Sequence, residues 1–357
     1  MRVMSVVGAR PQFVKLAPID TELRRAGIDH TIVHTGQHYD PLLSDVFFED
    51  LGIAAPDHHL GVGSGSHGRQ TGAMLAAMDE VLETTPTDWV LVYGDTNSTL
   101  AAALAAVKLH IPVAHLEAGL RSFNRRMPEE INRVVTDHTA DLLLAPTRTA
   151  MEHLDAEGLG SRSLMVGDVM TDVLFAVRHE VEQRPSSPIM DELGLDDGAY
   201  SLATIHRPDN TDDPEHLAGL LDSLGAVDHP VVLLAHPRLV AKCEEFGMTI
   251  ARGSLRVHAP LPYPDLICAA LHSRGIITDS GGLQKEAFLL RVPATTVRPQ
   301  TEWVETVELG WNVLVGPGED LVAAAQRPRP RDTDAAPYGD GHAARRVADA
   351  LLTELPH

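Results

Sequence analysis

The sequence is short of several residue types, and each shortage excludes a class of protein. Its two cysteines, Cys243 and Cys268, lack ligand-like spacing, so we expect free, reduced thiols and no metal site. Basic residues number 29 against 50 acidic ones, and the formal net charge of −21 argues against a nucleic-acid partner. An anionic ligand would therefore need local Arg, Lys or helix N-termini to hold it.

Long apolar runs are also missing. No stretch approaches the roughly 18–20 consecutive apolar residues that a membrane-spanning helix needs. The N-terminal MRVMSVVGARP has only a short apolar run that ends at Gly8. This pattern predicts a first strand and not a signal peptide, and we therefore expect a cytoplasmic protein. With 357 residues, of which 44% are hydrophobic, the composition is typical of a globular chain of about two domains.

Short apolar segments alternate with longer helical patterns along the whole chain. Segments such as DWVLVYGD and IPVAHLEAG are typical of buried strands, and the Ala-rich STLAAALAAVKLH between them is helical by its period. Near-continuous apolar strands separated by helices indicate an α/β fold with doubly wound parallel sheets covered on both faces.

The pattern restarts after LMVGDVMTDVL, which places a domain boundary near Gly167. We therefore expect an N-terminal domain over 1–167 and a second domain over 168–340. The final segment, 341–357, contains the helical pattern HAARRVADALLTEL and is expected to pack back on the first domain. Its apolar stripe consists of Ala344, Val347, Ala348 and Leu351. Two such domains would form a cleft at the carboxyl ends of their strands, where open parallel sheets bind ligands.

Carboxylates follow two predicted strands of the first domain. Asp95 directly follows DWVLVYG, and Glu117 directly follows PVAHL. We therefore expect both carboxylates at the same edge of the sheet. Asp95 could equally be only a turn residue, whereas Glu117 has no evident structural role.

The segment MPEEINR, which follows Glu117 closely, predicts the start of a helix. Pro128 suits the first turn, and Glu129 and Glu130 suit its positive N-terminus. Glu129 and Arg133 are four residues apart, so we expect them to form an ion pair on one helix face.

Two further loops of the first domain carry candidate contacts. In VGARPQFVKLAP, Arg10 and Lys15 follow the first strand, where Arg10 could clamp a phosphate, pair with a carboxylate, or lie in an ordinary surface loop. In TGQHYD, Gln37 and His38 are candidate contacts, although a plain polar loop explains them equally well.

The strongest anion signal is IITDSGGLQKEAF. A buried strand ends at Asp279, and Ser280, Gly281 and Gly282 then open a helix with unencumbered backbone N–H groups. Glu286 lies one turn further along, where a carboxylate can accept hydrogen bonds from a ribose diol.

In ATIHRPDN, His206 and Arg207 end another strand of the second domain, where they favour a phosphate contact over a purely structural role. Together with the carboxylates of the first domain, these residues indicate a nucleotide-sugar or phosphate-binding cleft. Carboxylates placed at a reacting sugar carbon can serve as general acids and bases.

At this point the motifs resemble a known family nearly end to end. GARPQFVKLAP, TGQHYD, VYGDTNSTLAAALAA, HLEAGLRSFNRRMPEEINRVVTDH, IHRPDN, TDSGGLQKEA and TEWVETVELGWNVLVG are similar to segments of the non-hydrolysing UDP-N-acetylglucosamine 2-epimerases. The resemblance implies a GT-B-like fold of two Rossmann-type domains with the active site in the cleft. It also implies a homodimer that needs no metal or nicotinamide cofactor.

The implied reaction is reversible inversion at carbon 2 between UDP-N-acetylglucosamine and UDP-N-acetylmannosamine. UDP leaves to give 2-acetamidoglucal and then adds back after a proton reaches the other face. The resemblance makes Asp95, Glu117 and Glu129 the acid–base candidates.

It also assigns further roles. Arg10, His206 and the Ser280–Gly282 amides would stabilise the phosphate charge, Arg133 would hold Glu129 or contact the ligand, and Glu286 would hold the ribose. The remaining implied contacts are Tyr263 near uracil and Arg298 and Glu302 at the sugar pocket.

The sequence departs from the family at positions of a regulatory site for a second substrate molecule. Gln37, His38 and His236 are present as remnants of that site, but Asp40 and Ala73 replace a family Gln and Arg. Allosteric activation is therefore not expected to follow from the resemblance. Asp209 and Asp168 are mild departures elsewhere.

Three alternatives remain at this stage. A hydrolysing 2-epimerase would share the elimination step but release free N-acetylmannosamine. A GT-B glycosyltransferase would need an acceptor, and a nucleotide-sugar sensor would bind without turnover.

Overall fold

The computed structural model describes residues 1–37 and 55–354. The chain forms two compact units: unit 1 comprises Met1–Val173 together with Ala336–His357, and unit 2 comprises Leu174–Ala335. The chain thus leaves unit 1 after Val173 and returns at Ala336, whereas the sequence analysis placed these points at 167 and 340.

Unit 1 contains a seven-stranded sheet in the order β3-β2-β1-β4-β5-β6-β7, with every pair of neighbours parallel. Its strands are β1 (Arg2–Val7), β2 (Asp29–His34), β3 (His58–His59), β4 (Trp89–Tyr93), β5 (Val113–Leu116), β6 (Leu142–Ala145) and β7 (Ser163–Met165). The order reverses between β1 and β4, which is where doubly wound sheets bind ligands.

Unit 2 repeats this topology with six parallel strands in the order β10-β9-β8-β11-β12-β13. They are β8 (Ser201–Thr204), β9 (Val231–Leu234), β10 (Leu255–His258), β11 (Gly275–Thr278), β12 (Ala294–Thr296) and β13 (Asn312–Leu314). The reversal lies between β8 and β11, so residues that follow these two strands become neighbours.

Helices connect the strands of both units. Those with residues in unit 1 are α1 (Arg10–Arg25), α2 (His67–Thr84), α3 (Asn97–Lys108), α4 (Pro128–Thr139), α5 (Arg148–Ala156), α6 (Val169–Val181) and α15 (Ala343–Thr353). Those of unit 2 are α7 (Pro188–Leu193), α8 (Pro208–Thr211), α9 (Pro214–Gly225), α10 (Pro237–Glu245), α11 (Tyr263–Leu271), α12 (Gly281–Leu289), α13 (Val304–Glu308) and α14 (Leu321–Ala325).

The first strand shows why the sheet of unit 1 is buried on both faces. Val3 and Val7 belong to one apolar cluster, and Met4 and Val6 belong to another on the opposite face. Successive side chains of a strand point to opposite faces, so a nearly uninterrupted apolar run is what such a position requires.

The C-terminal helix α15 completes the first of these clusters. Its buried Ala344, Val347, Ala348 and Leu351 join Phe13 and Leu16 of α1 in one core. The stripe is apolar at helical spacing, and the helix begins where Asp172 accepts hydrogen bonds from the backbone N–H groups of Ala343 (3.0 Å) and Ala344 (2.8 Å).

The sequence-based expectation of an α/β chain with two Rossmann-type doubly wound parallel sheets, the components of a GT-B-like fold, is confirmed. In the described part of the chain, every helix is too short or too polar to cross a membrane.

Candidate active site

In unit 1, hydrogen bonds of the Gln12 side chain connect the loop after β1 to the end of β4. The Gln12 side chain accepts hydrogen bonds from Gly8 N (2.8 Å) and Ala9 N (3.0 Å) and donates to the Tyr93 carbonyl (2.7 Å). A Cβ at Gly8 would lie 2.0 Å from Thr35 Oγ1, so only glycine fits there. The side chain of Arg10, at the start of α1, lies outside the described part of the structure.

Glu117 follows β5 and forms an ion pair with Lys15 of α1. Both side chains are mostly buried, with 15% and 13% of their surfaces exposed. Burial lowers the pKa of Lys15, but the charge and hydrogen bond of Glu117, together with the charges of Asp168 and Asp95, outweigh this effect, so the pKa of Lys15 lies above its usual value. The Lys15 ammonium therefore lies directly beside the Glu117 carboxyl group.

Asp95 follows β4 and is held by helix α4. Its carboxylate forms an ion pair with Arg133, and its backbone carbonyl accepts a hydrogen bond from Asn132 Nδ2 (2.9 Å). The Asp95 side chain is 32% exposed, so a ligand can reach it. Asp95 and Glu117 thus end neighbouring strands of one sheet, each beside its own cation.

The expected Glu129–Arg133 ion pair is wrong. Arg133 contacts Asp95 and Glu130 instead, with Arg133 Nη1 2.9 Å from Glu130 Oε2. Glu130 is buried. Its carboxylate also accepts hydrogen bonds from the backbone N–H groups of Ser122 and Phe123, both at 2.9 Å. Helical spacing alone could not anticipate partners in a preceding loop.

These contacts divide the roles of the two glutamates. Burial raises the pKa of Glu130, but its hydrogen bonds with Ser122 and Phe123 and the charge of Arg133 lower it below its usual range. Glu129 makes no hydrogen bond or ion pair with any residue that the structure describes. Glu130 therefore fixes the loop, and Glu129 is the carboxylate left available for a ligand.

In unit 2, the predicted glycine-rich helix start is present. Ser280 precedes α12, whose first residues are Gly281 and Gly282. A Cβ at Gly281 would lie 2.6 Å from Glu302 Oε1 and 3.8 Å from Arg207 Nη2, whereas one at Gly282 would meet open space. Exposed amides at a helix N-terminus, close to a guanidinium, are suited to binding an anion.

His206 lies at the topological switch point between β8 and β11. Asp279, fully buried, lies 3.0 Å from His206 Nδ1 and accepts hydrogen bonds from the backbone N–H groups of His206 (3.0 Å) and Arg207 (2.9 Å). Burial raises the pKa of Asp279, but these bonds and one from Asn210 lower it below its usual value. The ionised Asp279 therefore sets the orientation of the His206 ring.

Tyr263 and Glu286, assigned to uracil and ribose by the resemblance, contact each other. The Tyr263 hydroxyl donates a hydrogen bond to Glu286 Oε1 (2.8 Å). Burial, together with the Glu286 charge, raises the pKa of Tyr263. The hydroxyl stays protonated and orients the Glu286 carboxylate.

Arg298 and Glu302 form an ion pair at 2.9 Å after β12. Arg298 also lines a cavity of about 650 Å³ with Arg207, Asn210 and the loop that begins at Gly316. The Ser280–Gly282 amides do not line this cavity, although Arg207 borders both places.

Two of the proposed regulatory remnants have local partners. Gln37 Oε1 accepts hydrogen bonds from Ser98 N (3.0 Å) and Ser98 Oγ (2.7 Å), and His236 Nδ1 accepts one from Arg238 N (3.1 Å). The His236 ring lies 5.3 Å from that of His206. His38 and Asp40 lie outside the described residues.

Two buried residues near the first-unit carboxylates escaped the sequence analysis. His115, inside the apolar run of β5, lies between the Gly94 carbonyl (2.7 Å) and Asp137 of α4 (2.6 Å). A histidine within a fully buried strand was the available signal, because such a side chain needs polar partners.

Within residues 1–37 and 55–354, His, Cys, Asp and Glu side chains form no group of three or more suited to a metal ion.

Known proteins resemble this chain over nearly its whole length. A family model described as UDP-N-acetylglucosamine 2-epimerase matches residues 21–352. A Methanococcus maripaludis protein described as a UDP-N-acetylglucosamine 2-epimerase homolog is 44% identical over 356 residues, which cover 98% of this chain and 99% of the relative. The UDP-2,3-diacetamido-2,3-dideoxy-D-glucuronate 2-epimerase of Pseudomonas aeruginosa is 45% identical over 363 residues, with the same coverage.

A solved structure extends the similarity to three dimensions. Methanocaldococcus jannaschii UDP-GlcNAc 2-epimerase in complex with UDP-GlcNAc and UDP superposes with a TM-score of 0.80 at 37% identity, covering 99% of both chains. A match over nearly the whole length, in sequence and in fold, leaves one conclusion. The chain belongs to the UDP-N-acetylglucosamine 2-epimerase family.

Proposed function

We propose that the protein inverts carbon 2 of UDP-N-acetylglucosamine to give UDP-N-acetylmannosamine, without net hydrolysis. The observation that carries this proposal is the pair of carboxylates Asp95 and Glu117, each beside a cation at neighbouring strand ends of unit 1. The anion-binding helix start and His206 of unit 2 support it further.

The chemistry explains why both sets of groups are needed. The carbon 2 proton has no neighbouring carbonyl group to make it acidic, so a base alone would remove it slowly. Departure of UDP breaks the bond from carbon 1 to oxygen as the carbon 2 proton leaves, and a carbon–carbon double bond forms. Re-addition reverses these changes after a proton is delivered to the opposite face.

In this proposal the two units have separate roles. Asp95, Glu117 and Glu129 of unit 1 transfer the protons. The Ser280–Gly282 amides, with His206 and Arg207 of unit 2, stabilise the charge on the departing diphosphate. Arg10 adds to this charge stabilisation, and Glu286, oriented by Tyr263, holds the ribose. A cytoplasmic homodimer stays a prediction.

Incubation with UDP-N-acetylglucosamine in deuterated water tests the proposal. We expect NMR to show UDP-N-acetylmannosamine and deuterium at carbon 2 of both UDP-sugars, with Asp95→Asn as the inactive control. Accumulation of free N-acetylmannosamine and UDP would favour a hydrolysing enzyme. UDP binding without label or product would favour a sensor and overturn the proposal.

A second substrate has a specific observation in its favour. The Pseudomonas aeruginosa relative at 45% identity is named for a UDP-2,3-diacetamido-2,3-dideoxy-D-glucuronate, and the M. jannaschii UDP-GlcNAc enzyme is 37% identical. The same elimination would serve both sugars, because it involves only carbons 1 and 2. The ratio of kcat/KM for the two UDP-sugars, measured side by side, decides between them.

A further inference from the structure

A set of polar and charged side chains, most of them buried, lies behind the turns that carry Asp95 and Glu117, and the proposed proton transfers do not use it. It consists of His115, Arg121, Asp137 and Glu157, which we name the turn-support cluster. His115 and Asp137 are fully buried, and the Arg121 side chain is only 2% exposed.

His115 connects the cluster to the Asp95 turn. Its Nε2 lies 2.7 Å from the carbonyl oxygen of Gly94, the residue before Asp95, and its Nδ1 lies 2.6 Å from Asp137 Oδ1. A carbonyl oxygen can only accept, so Nε2 donates, and the carboxylate likewise accepts from Nδ1. Both ring nitrogens of His115 therefore have protein partners, one at each end of the ring.

Asp137 connects the same cluster to the Glu117 turn. Its second oxygen accepts hydrogen bonds from Gly119 N (3.1 Å) and from Arg121 Nη1 (2.7 Å). Burial raises the pKa of Asp137, but His115 and Arg121 lower it below its usual value.

Arg121 completes the balance of charge. It donates to both carboxylate oxygens of Glu157, at 2.7 and 2.8 Å. The buried Arg121 guanidinium thus lies between two carboxylates, which makes its burial and that of Asp137 tolerable.

The backbone of the Glu117 turn, which the Gly119 N–H attaches to Asp137, is strained. Glu117 adopts a left-handed conformation with φ of +71°, although it is not a glycine. Such a conformation is strained for a non-glycine residue and persists only where its surroundings hold it. Gly94 and Gly119 are also left-handed, with φ of +61° and +82°. A Cβ at Gly119 would lie 2.4 Å from the Ala150 carbonyl oxygen, so this turn cannot shift freely.

We propose that the turn-support cluster is a positioning device that fixes the Asp95 and Glu117 turns relative to each other. This inference rests on the proposed function, in which Asp95 and Glu117 transfer protons. The cluster would hold these two carboxylates at a fixed distance from each other. His115 and Asp137 are its positioning residues and do not touch the substrate themselves.

The experiment compares His115→Gln with a matched control in the same unit. His30 is a second buried histidine, 2.6 Å from Asp20 Oδ1 and 2.8 Å from Ser5 Oγ. Its bonds lead into the side chains of the sheet interior, where Ser5 meets the Tyr93 hydroxyl at 2.7 Å, and not to a strand-end turn. Both substitutions remove a buried histidine from a His–Asp pair, so both should lower thermal stability.

We expect kcat with UDP-N-acetylglucosamine to fall about 10- to 100-fold in His115→Gln, because small misplacements of reacting groups cost this much. KM should stay within about 3-fold of the wild-type value, and His30→Gln should retain wild-type kcat within about 3-fold. Asp137→Asn keeps the side-chain volume and should show the same loss of kcat. This second variant can therefore be measured if His115→Gln folds poorly.

Equal kcat losses in His115→Gln and His30→Gln, or a change in KM alone, would overturn the inference and leave the proposed function intact. Absence of carbon 2 exchange in the wild-type protein would overturn both. The two failures are therefore distinguishable in one series of assays.

Discussion

Both units contain a histidine paired with a fully buried aspartate near a strand end, yet the two pairs differ in what they leave exposed. In unit 1, His115 is completely buried, and its second ring nitrogen donates to the Gly94 backbone. In unit 2, His206 is paired with Asp279 in the same way, but its side chain is 37% exposed. In our proposal, the first pair fixes the backbone beneath the reacting groups, and the second presents a ring nitrogen to the ligand.

The difference follows from where each histidine lies. His115 is within β5, with its ring enclosed by the fold, whereas His206 comes just after β8 at the switch point of its sheet. A fully enclosed ring must use both nitrogens on protein groups, and a strand-end ring need use only one. The location of a His–Asp pair relative to the strand end thus decides how much of its ring is left exposed to a ligand.

The largest effect should come from the exposed ring. We expect His206→Asn to reduce kcat by about 100- to 10,000-fold, because it removes a group proposed to act on the departing diphosphate. His272→Asn is the matched control, since His272 forms a 2.8 Å pair with Asp197 elsewhere in unit 2. Steady-state assays that show equal losses in both variants would remove the distinction between the pairs.

A smaller effect should follow from the partner of His206. Asp279→Asn removes the charge that orients the ring, and we expect kcat to fall about 10- to 100-fold. Combined with His206→Asn it should add little, because the two act as one unit. Additive losses measured in the double variant would mean that Asp279 acts independently of His206.

Anion binding should depend on the amide cluster of unit 2. Gly281→Ala would place a Cβ 2.6 Å from Glu302 Oε1, so we expect the Kd for UDP to rise about 10-fold by calorimetry. Adding Glu302→Ala restores the space and should recover most of the affinity. Unchanged affinity in Gly281→Ala would place the diphosphate elsewhere.

The smallest effect should appear in acid stability. The folded pKa of Asp137 lies below its usual value, so below about pH 4 the unfolded chain binds a proton before the folded chain does. The stabilisation is therefore complete above the unfolded pKa and is lost as pH falls through the folded one. Urea unfolding of Asp137→Asn should show a shallower loss of stability below pH 4 than wild type, and parallel curves would contradict this assignment.

The fold and the first candidate residues could be predicted because they depend on local patterns. Apolar strands alternating with helices gave the sheets, and the polar residue after each strand gave Asp95, Glu117, Asp279 and His206. Ser280–Gly282 could be placed because glycines before a helix have a direct physical meaning.

The partners of these residues could not be predicted, because they are distant in sequence. Lys15 meets Glu117 across 102 positions, and Arg133 meets Asp95 across 38. Helical spacing suggested Glu129 for Arg133, but the loop at Ser122 turned Glu130 inward. Contacts of this kind depend on the tertiary fold.

The most direct test of the account is to measure UDP affinity and turnover together in Asp95→Asn and Glu117→Gln. If unit 1 transfers the protons and unit 2 binds the nucleotide, turnover should fall by about 1,000-fold while the Kd for UDP stays within about 3-fold of wild type. Variants that turn over normally, or that lose UDP binding in step with turnover, would contradict this account.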